Sequence, residues 1–407
     1  MRTRPRILFT LLLATLAATA SVSAKPIRIY AKRLIDGRGH IRRNIIVVVD
    51  GTKIVRIDDG ASRPDLDLGD RTLLPGGIDT HVHIAWHFDR DGRSHDDESD
   101  RAESPQESAL YAAENAYATL LGGITTVQSL GAPVDKPVRD AIARGVLPGP
   151  RILTAIDPIF DEKLSPDAMR EAVRKLKAEG ADVVKIFASQ SIRSGGAPTM
   201  SQEQLDAICG EAKSVGLRTA VHAHGPESVK RAVLAGCTSI EHGALIDQPT
   251  LDLIAQHGTY FDPNIDLVFR NYFENRAHFL GIGNYTEEGF AQMKLAVPKA
   301  LNVFRMGLKT KGLKMVFGTD AVAGSHGRNF QELEYRVREG GQEPMDAITS
   351  ATSLAAESLG LGDRVGTIAA GYEADLIAVD GDPLTDIGAL ERVSFVMKGG
   401  RIVKERR

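Results

Sequence analysis

Between residues 76 and 360 the apolar positions fall into short continuous runs, separated by longer stretches in which apolar residues recur at helical spacing. Strands buried on both faces alternating with amphipathic helices produce this pattern. Eight runs are present: "GGIDTHVHI" (76 to 84), "ITTVQSL" (124 to 130), "PRILTAIDPI" (150 to 159), "DVVKIFAS" (182 to 189), "RTAVHAH" (218 to 224), "TSIEHG" (238 to 243), "TYFDPNI" (259 to 265) and "KMVFGTDA" (314 to 321). Start and stop signals punctuate the helices. Ser165 precedes Pro166, Ser201 precedes Gln204 by three, and Gly180, Gly216, Gly236 and Gly258 stand where helices should end. The pattern predicts an α/β fold, a (β/α)8 TIM barrel over residues 76–360, and about 285 residues suits that architecture.

The flanks alternate with period two instead. "NIIVVVDGTKIVRI" carries the hairpin turn Asp50-Gly51, and residues 364 to 404 contain "RVGTIAAGYEADLIAVDGDPL" and "VSFVMKGGRIVKE" with a Gly-Gly turn. Residues 25–75 and 361–407 are therefore expected to build one small β-sandwich domain from both termini. Three segments interrupt the regular spacing after strands: 87 to 104, 189 to 199 and 267 to 312. Loops after barrel strands lie on the catalytic face, so these are candidates for lids and specificity elements. His87 and His95, in the first of them, are read as parts of a solvated acidic loop and not as ligands.

The first 24 residues read as a signal peptide. Arg2, Arg4 and Arg6 precede an apolar run over residues 7 to 20, and small residues end at Ala24. The run is shorter than the roughly 20 apolar residues that span a bilayer, so the expectation is export to the periplasm or beyond, without stable membrane insertion. Removing this segment takes away three arginines and no acids, moving the formal charge from −3 to −6. Nothing in that balance recruits nucleic acid. Cys209 falls in a helical pattern and Cys237 just before a strand, so two separate buried thiols are expected.

The chemistry gathers at the C-terminal ends of the strands. His81 and His83 are two residues apart and project from one side of a strand. Lys185 stands on the fourth run, His222 on the fifth, His242 on the sixth and Asp320 on the eighth. Each alone has an ordinary structural explanation; together on one face they point to a metal centre. Lys185 stands among Val183, Val184, Ile186 and Phe187, where burial favours the neutral amine. A neutral amine can add carbon dioxide, and the resulting carbamate is an anionic oxygen ligand able to bridge two cations.

These motifs in this order resemble the amidohydrolase superfamily, in particular exported imidazolonepropionase-like and Xaa-Pro-dipeptidase-like members with a carboxylated lysine. The likeness extends over essentially the whole chain after residue 24, to the closing "VGTIAAGYEADLIAVDGDPL". It implies that His81, His83, Lys185 and Asp320 hold a first divalent metal ion, zinc being expected, and that Lys185, His222 and His242 hold a second. It further implies that His224 touches substrate, and that the protein assembles as a homo-oligomer. Two departures stand out: Gln128-Ser129 where many relatives have Arg-Asp, and Ser189-Gln190-Ser191 where relatives often read Ser-Gly-Gly. Both bear on substrate rather than on metal ligation.

The expected reaction is hydrolysis of an amide in a dipeptide or N-acyl amino acid. Water shared by two cations is deprotonated near neutral pH, and Asp320 serves as catalytic base and then acid. A free carboxylate on such a small-molecule substrate needs a cation, for which Arg193, His224, His326 and Arg328 are candidates. Opening of a cyclic amide or lactone by the same centre is an alternative. Deamination at a single metal is disfavoured by Gly225, where deaminases often carry glutamate, and a non-catalytic binding protein by the intact set of six.

Overall fold

The computed structural model describes residues 25–60, 62–95 and 103–406. The segment read as a signal peptide lies outside the described residues. The alternating N-terminal pattern forms β1 (Ile27–Ile35), β2 (Ile41–Asp50), β3 (Lys53–Asp59), the short β4 (Leu66–Asp67) and β5 (Thr72–Pro75). Asp50-Gly51 turns β2 antiparallel onto β3, with Gly51 at φ 56°.

Strands and helices then alternate: β6 (Gly77–Val82), α1 (Pro105–Leu121), β7 (Ile124–Ser129), α2 (Asp135–Ala143), β8 (Arg151–Thr154) and α3 (Pro166–Glu179). They continue with β9 (Val183–Phe187), α4 (Gln202–Ser214), β10 (Arg218–Ala223), α5 (Pro226–Leu234), β11 (Ser239–His242), α6 (Gln248–His257) and β12 (Tyr260–Asp262). The long segment after β12 forms α7 (Leu267–Glu274), α8 (Arg276–Phe279) and α9 (Glu287–Lys309). β13 (Lys314–Met315), α10 (Gln331–Arg338), α11 (Pro344–Ser350) and α12 (Ser353–Ser358) follow, and the chain ends in β14 (Leu376–Val379), β15 (Val393–Lys398) and β16 (Arg401–Glu405). No helix among the described residues is long and apolar enough to cross a membrane.

Ser165 Oγ accepts the Ala168 N–H at 3.2 Å, and Ser201 and Gln204 cap each other's backbone at 3.3 and 2.8 Å, so α3 and α4 start where hydroxyls satisfy their free amides.

Strands from both ends of the chain pair in one continuous sheet, in the order β16-β15-β14-β5-β1-β2-β3, with β4 beside β1. The antiparallel pair β5 and β14 joins the two ends. Alternation gives this sheet two apolar faces. Leu73, Leu376 and Phe395 share a core with Ile29, Val47 and Ile54, while Leu74, Ile377 and Val396 pack with Val82, Leu120 and Ile124 of the central region.

The central strands form two parallel sheets, β6-β7-β8 and β13-β12-β11-β10-β9. Contacts cross both gaps between them. Ile159 bridges Ile186 on one side and Val82 bridges Ala321 on the other. On the second side the Thr80 N–H donates to Phe317 O at 3.0 Å and the Asp320 N–H to His81 O at 2.7 Å.

One expectation is corrected. Cys209 and Cys237 are not separate thiols; they form a disulfide with Cα atoms 5.2 Å apart. Cys209 lies on the buried face of α4, and its sulfur is 3.8 Å from Thr219 Oγ1 on β10. That hydroxyl oxygen also accepts the N–H of Thr238, the residue after Cys237, at 2.8 Å. One βα repeat thus returns the chain beside α4, a proximity that spacing along the sequence does not display.

Candidate metal centre and substrate cavity

His81 lies near the end of β6, Lys185 in β9, His222 in β10 and His242 at the last position of β11. His83 and Asp320 follow β6 and β13. All six line one cavity. Lys185 Nζ is 3.2 Å from His81 Nε2, and Asp320 Oδ1 lies 3.3 Å from His81 Nε2 and 3.2 Å from His83 Nε2. The His222 and His242 rings are 4.6 Å apart between centroids, and His242 is 5.1 Å from His81.

Two of these residues hold left-handed backbone conformations: His242 at φ 74° and Asp320 at φ 53°. Such geometry costs on the order of 1–3 kcal/mol in a residue with a Cβ and persists only where surroundings enforce it. Asp79 supplies part of the enforcement. Its Oδ1 accepts the N–H groups of His81 and Thr319 at 3.1 Å each, and its Oδ2 accepts Thr319 Oγ1 at 2.6 Å and Asn329 Nδ2 at 2.7 Å. One buried carboxylate therefore ties the backbone of His81 to that beside Asp320.

Electrostatics separate the roles. Burial pushes Lys185 down, against the pull of Glu241, Asp320 and Asp262, which favours its neutral amine. Burial also holds His81, His222 and His242 well below the ordinary imidazole range. Asp320 goes the other way: burial would raise it, but His81, His83 and Lys185 draw it down to about 2, so it stays ionised.

A divalent cation fits these groups. His81, His83 and Asp320 each offer one ligand atom, all within 4.8 Å of one another, and neutral imidazole with carboxylate suits zinc and its neighbours.

The rest of the cavity comes from the segments that interrupt the spacing. The loop after β9 contributes Ser191, Ile192 and Arg193, and the helices after β12 contribute Val268, Phe269, Tyr272 and Met293. Half-buried Arg193 donates from Nε to Asn284 Oδ1 at 2.7 Å, with its guanidinium 3.9 Å from the centroid of the Tyr285 ring and 5.5 Å from that of Tyr272. His224 is buried on the wall, its Nδ1 lacking a hydrogen-bond partner and burial pushing its pKa down to about 3.

The structure does not bring His326 and Arg328 to the cavity lining. His326 Nε2 sits 3.2 Å from Trp86 O, and Arg328 donates to Glu274 at 2.7 Å and Gln331 at 3.2 Å. His87 is also away from the lining, 3.0 Å from Glu103 Oε2 and stacked on Tyr111, with His95 beside it. Gln128 and Ser129 pack between strands: Gln128 donates to Thr80 O and accepts from Arg218, and Ser129 Oγ accepts the Ile84 N–H. Ser189 Oγ accepts the His224 N–H at 3.2 Å, which fixes the backbone of that wall.

Sequence reasoning missed a buried layer beneath the site. The register pairs His222 with Glu241 and Glu241 with Asp262, so these three side chains share one face. Glu241 Oε2 is 3.2 Å from His81 Nδ1 and Asp262 Oδ2 is 3.9 Å from it. Asp262 meets Arg336 Nη2 at 3.5 Å, and Arg336 Nε donates to Glu332 at 3.0 Å, all three fully buried. Gly318 leaves room for this layer, since a Cβ there would lie 1.8 Å from Asp262 Oδ2. Strand alternation through "SIEHG" is the signal that could have found Glu241.

Residues 72–403 match the family described as the amidohydrolase family. A solved Xaa-Pro dipeptidase with methionine bound in its active site is 33% identical, with a TM-score of 0.83, covering 93% of this chain and all of that one. A prolidase solved with N-methylphosphonate-L-proline is 27% identical, with a TM-score of 0.79 over 93% of this chain and 99% of that one. The ochratoxinase of Aspergillus niger is 27% identical over 442 aligned residues, 96% of this chain and 89% of that protein. Its crystal structure superposes with a TM-score of 0.80, covering 94% of this chain and 96% of that one.

Proposed function

This chain belongs to the amidohydrolase family and is a hydrolase of carbon–nitrogen bonds, and from that premise we propose that it cuts the amide bond of a dipeptide or an N-acyl amino acid at a centre of two divalent cations. The observation that carries the reading is the composition of one cavity, lined by six candidate ligands together with Arg193, His224 and apolar side chains. His81, His83, Lys185 and Asp320 would hold the first cation, and Lys185, His222 and His242 the second. Neutral Lys185 would add carbon dioxide with release of one proton, and the carbamate would supply an anionic oxygen ligand to the centre. When bound, the cations supply Lewis acidity toward the carbonyl oxygen and acidify a water.

The protein's own groups do the rest. Asp320, ionised and beside His81 and His83, accepts the proton of the attacking water and passes it to the departing nitrogen. Arg193, held between Tyr285 and Asn284, and His224, with its free Nδ1, receive the substrate carboxylate. Phe187, Val268, Phe269 and Met293 receive an apolar side chain and exclude water. The neighbours named Xaa-Pro dipeptidase and prolidase support a C-terminal residue with a free carboxylate. The contacts across both gaps between the parallel sheets support a closed (β/α)8 barrel, and the disulfide together with the basic-apolar leader supports an exported protein.

The test is a hydrolysis screen of Xaa-Pro dipeptides, other dipeptides and N-acyl amino acids, each beside its C-terminal amide, before and after chelation. Turnover that needs both metal and the free carboxylate supports the reading. Turnover confined to cyclic amides or lactones, or surviving complete metal removal, overturns it.

A further inference from the structure

His81 is fully buried and faces two ways. Its Nε2 looks into the cavity, toward Lys185 and Asp320, and its Nδ1 looks down into the barrel. Below it stands Glu241, whose two oxygens differ. Oε1 accepts Ser239 Oγ at 2.5 Å, which anchors the carboxylate two residues along the same strand face. Oε2 and His81 Nδ1 stand 3.2 Å apart without a completed hydrogen bond, with Asp262 also against Glu241 and Asn264 against His81. Buried polar atoms left unpaired cost on the order of 1–3 kcal/mol each, so two facing each other at this distance are complementary rather than stranded.

His83 Nδ1 likewise lacks a hydrogen-bond partner, but two carboxylates, Glu241 at 3.2 Å and Asp262 at 3.9 Å, stand beside His81 Nδ1. Asp262 completes the support. It receives Asn264 Nδ2 at 3.1 Å, Thr80 Oγ1 at 3.4 Å and Arg336 Nη2 at 3.5 Å, so the acid layer is braced from β6, from the turn after β12 and from α10. Arg336, itself wholly buried and also donating to Val316 O at 2.8 Å, provides the counter-charge that makes the layer tolerable inside the fold.

A neutral imidazole presents a lone pair at one nitrogen only when the other carries the hydrogen. We infer that Glu241, braced by Asp262 and Arg336, is the positioning residue of His81: it accepts the Nδ1 hydrogen, which selects the tautomer whose Nε2 lone pair points into the cavity and fixes the plane of the ring. The inference rests on the reading of His81 as a cation ligand, and concerns no atom that touches substrate. Outer partners of this kind typically govern metal affinity by about 10- to 100-fold.

The test uses the full chain, reconstituted with zinc and bicarbonate, as wild type, Glu241→Gln, Glu241→Leu and Asp262→Asn. Zinc affinity is read by chelator competition, metal per chain by elemental analysis, and folding by thermal midpoint. The tautomer is read from nitrogen-15 histidine spectra, with the His81 signal identified by its loss in His81→Gln. The expected result is zinc affinity about 10- to 100-fold weaker in Glu241→Leu, largely restored in Glu241→Gln because the amide oxygen still accepts the hydrogen, and an Nδ1–H signal for His81 in wild type. Wild-type affinity in Glu241→Leu, or a His81 that carries its hydrogen on Nε2, overturns the inference. So does loss of one whole metal ion in both Glu241 variants, which would instead make His81, Glu241 and Asp262 a cation site. If wild type binds no zinc, the proposed function fails, while the tautomer spectrum of the metal-free protein still decides the inference.

Discussion

Lys185 Nζ stands 3.2 Å from His81 Nε2, both groups fully buried. Burial disfavours charge on both groups, and the neutral amine that it favours at Lys185 is the form open to carbon dioxide. Replacing Lys185 with methionine, which keeps length without the nitrogen, should drop metal content from two per chain to one or none and turnover by at least about 100-fold. Elemental analysis of protein purified with bicarbonate checks this. Unchanged metal and activity in Lys185→Met would remove the bridging group from the mechanism.

Asp320 differs from its neighbours in being held ionised, drawn down to about 2 by His81, His83 and Lys185 despite burial. Asp320→Asn keeps the shape and one oxygen but loses the proton acceptor. Turnover should fall by about 10²- to 10⁴-fold, while metal content falls by less than it does in Lys185→Met. Equal losses in the two variants would mean that Asp320 holds metal and transfers no proton.

The sequence makes legible what is repeated or paired: the alternation of strands and helices, the hairpin at Asp50-Gly51, and the six residues at strand ends that the structure gathers in one cavity. What it hides depends on register and on returns of the chain. Glu241 and Asp262 face the interior because β10, β11 and β12 align at one level, a relation between strands that no single run displays. Arg328 looks free in a loop, but Glu274 of α7, from the insertion after β12, takes its charge. Cys209 and Cys237 meet because one repeat closes on itself. In each case the missing information is a partner from elsewhere in the chain.

The disulfide closes a loop spanning a sequence separation of 28 residues. In the chain-entropy picture such a loop stabilises the fold by about 3–4 kcal/mol. The Cys209→Ser, Cys237→Ser double variant should therefore melt several degrees lower, and wild type with reductant should shift to the same midpoint. A thiol assay on unfolded, unreduced protein should find no free thiol; two free thiols per chain would refute the bridge.

Asp135 at the start of α2 is fully buried, accepting Thr154 Oγ1 at 3.2 Å with Oδ1 unpartnered. Burial raises its pKa from 3.8 to about 7, outweighing Ser129, Thr154 and the charge of Arg139. A carboxyl raised on folding favours the native state while it stays protonated. Its contribution is full below pH 3.8 and is lost as pH rises through about 7, a difference of about 4 kcal/mol at most. Asp135→Asn should gain stability relative to wild type between pH 5 and pH 8 and show no such gain near pH 3.5. Denaturant midpoints at both pH values check the sign; a gain that grows toward acid would refute it.

Arg193 belongs to the loop after β9, yet its position is set by the insertion after β12, through Asn284, Tyr285 and Tyr272. A guanidinium clasped in this way has little rotamer freedom left to lose when a carboxylate arrives, which favours strong recognition. A charge-assisted hydrogen bond is worth about 1.5–3 kcal/mol, or roughly 10- to 150-fold in binding. Arg193→Ala should raise KM by that factor for a substrate with a free C-terminal carboxylate and change kcat little, since the group lies away from the scissile bond. For the corresponding C-terminal amide, wild type and variant should perform alike, because the amide offers no charge to lose. The comparison separates recognition from collapse of the wall: if Arg193→Ala damages acid and amide equally, Arg193 shapes the cavity through Tyr285 and the carboxylate is read by another group, with His224 the next to substitute.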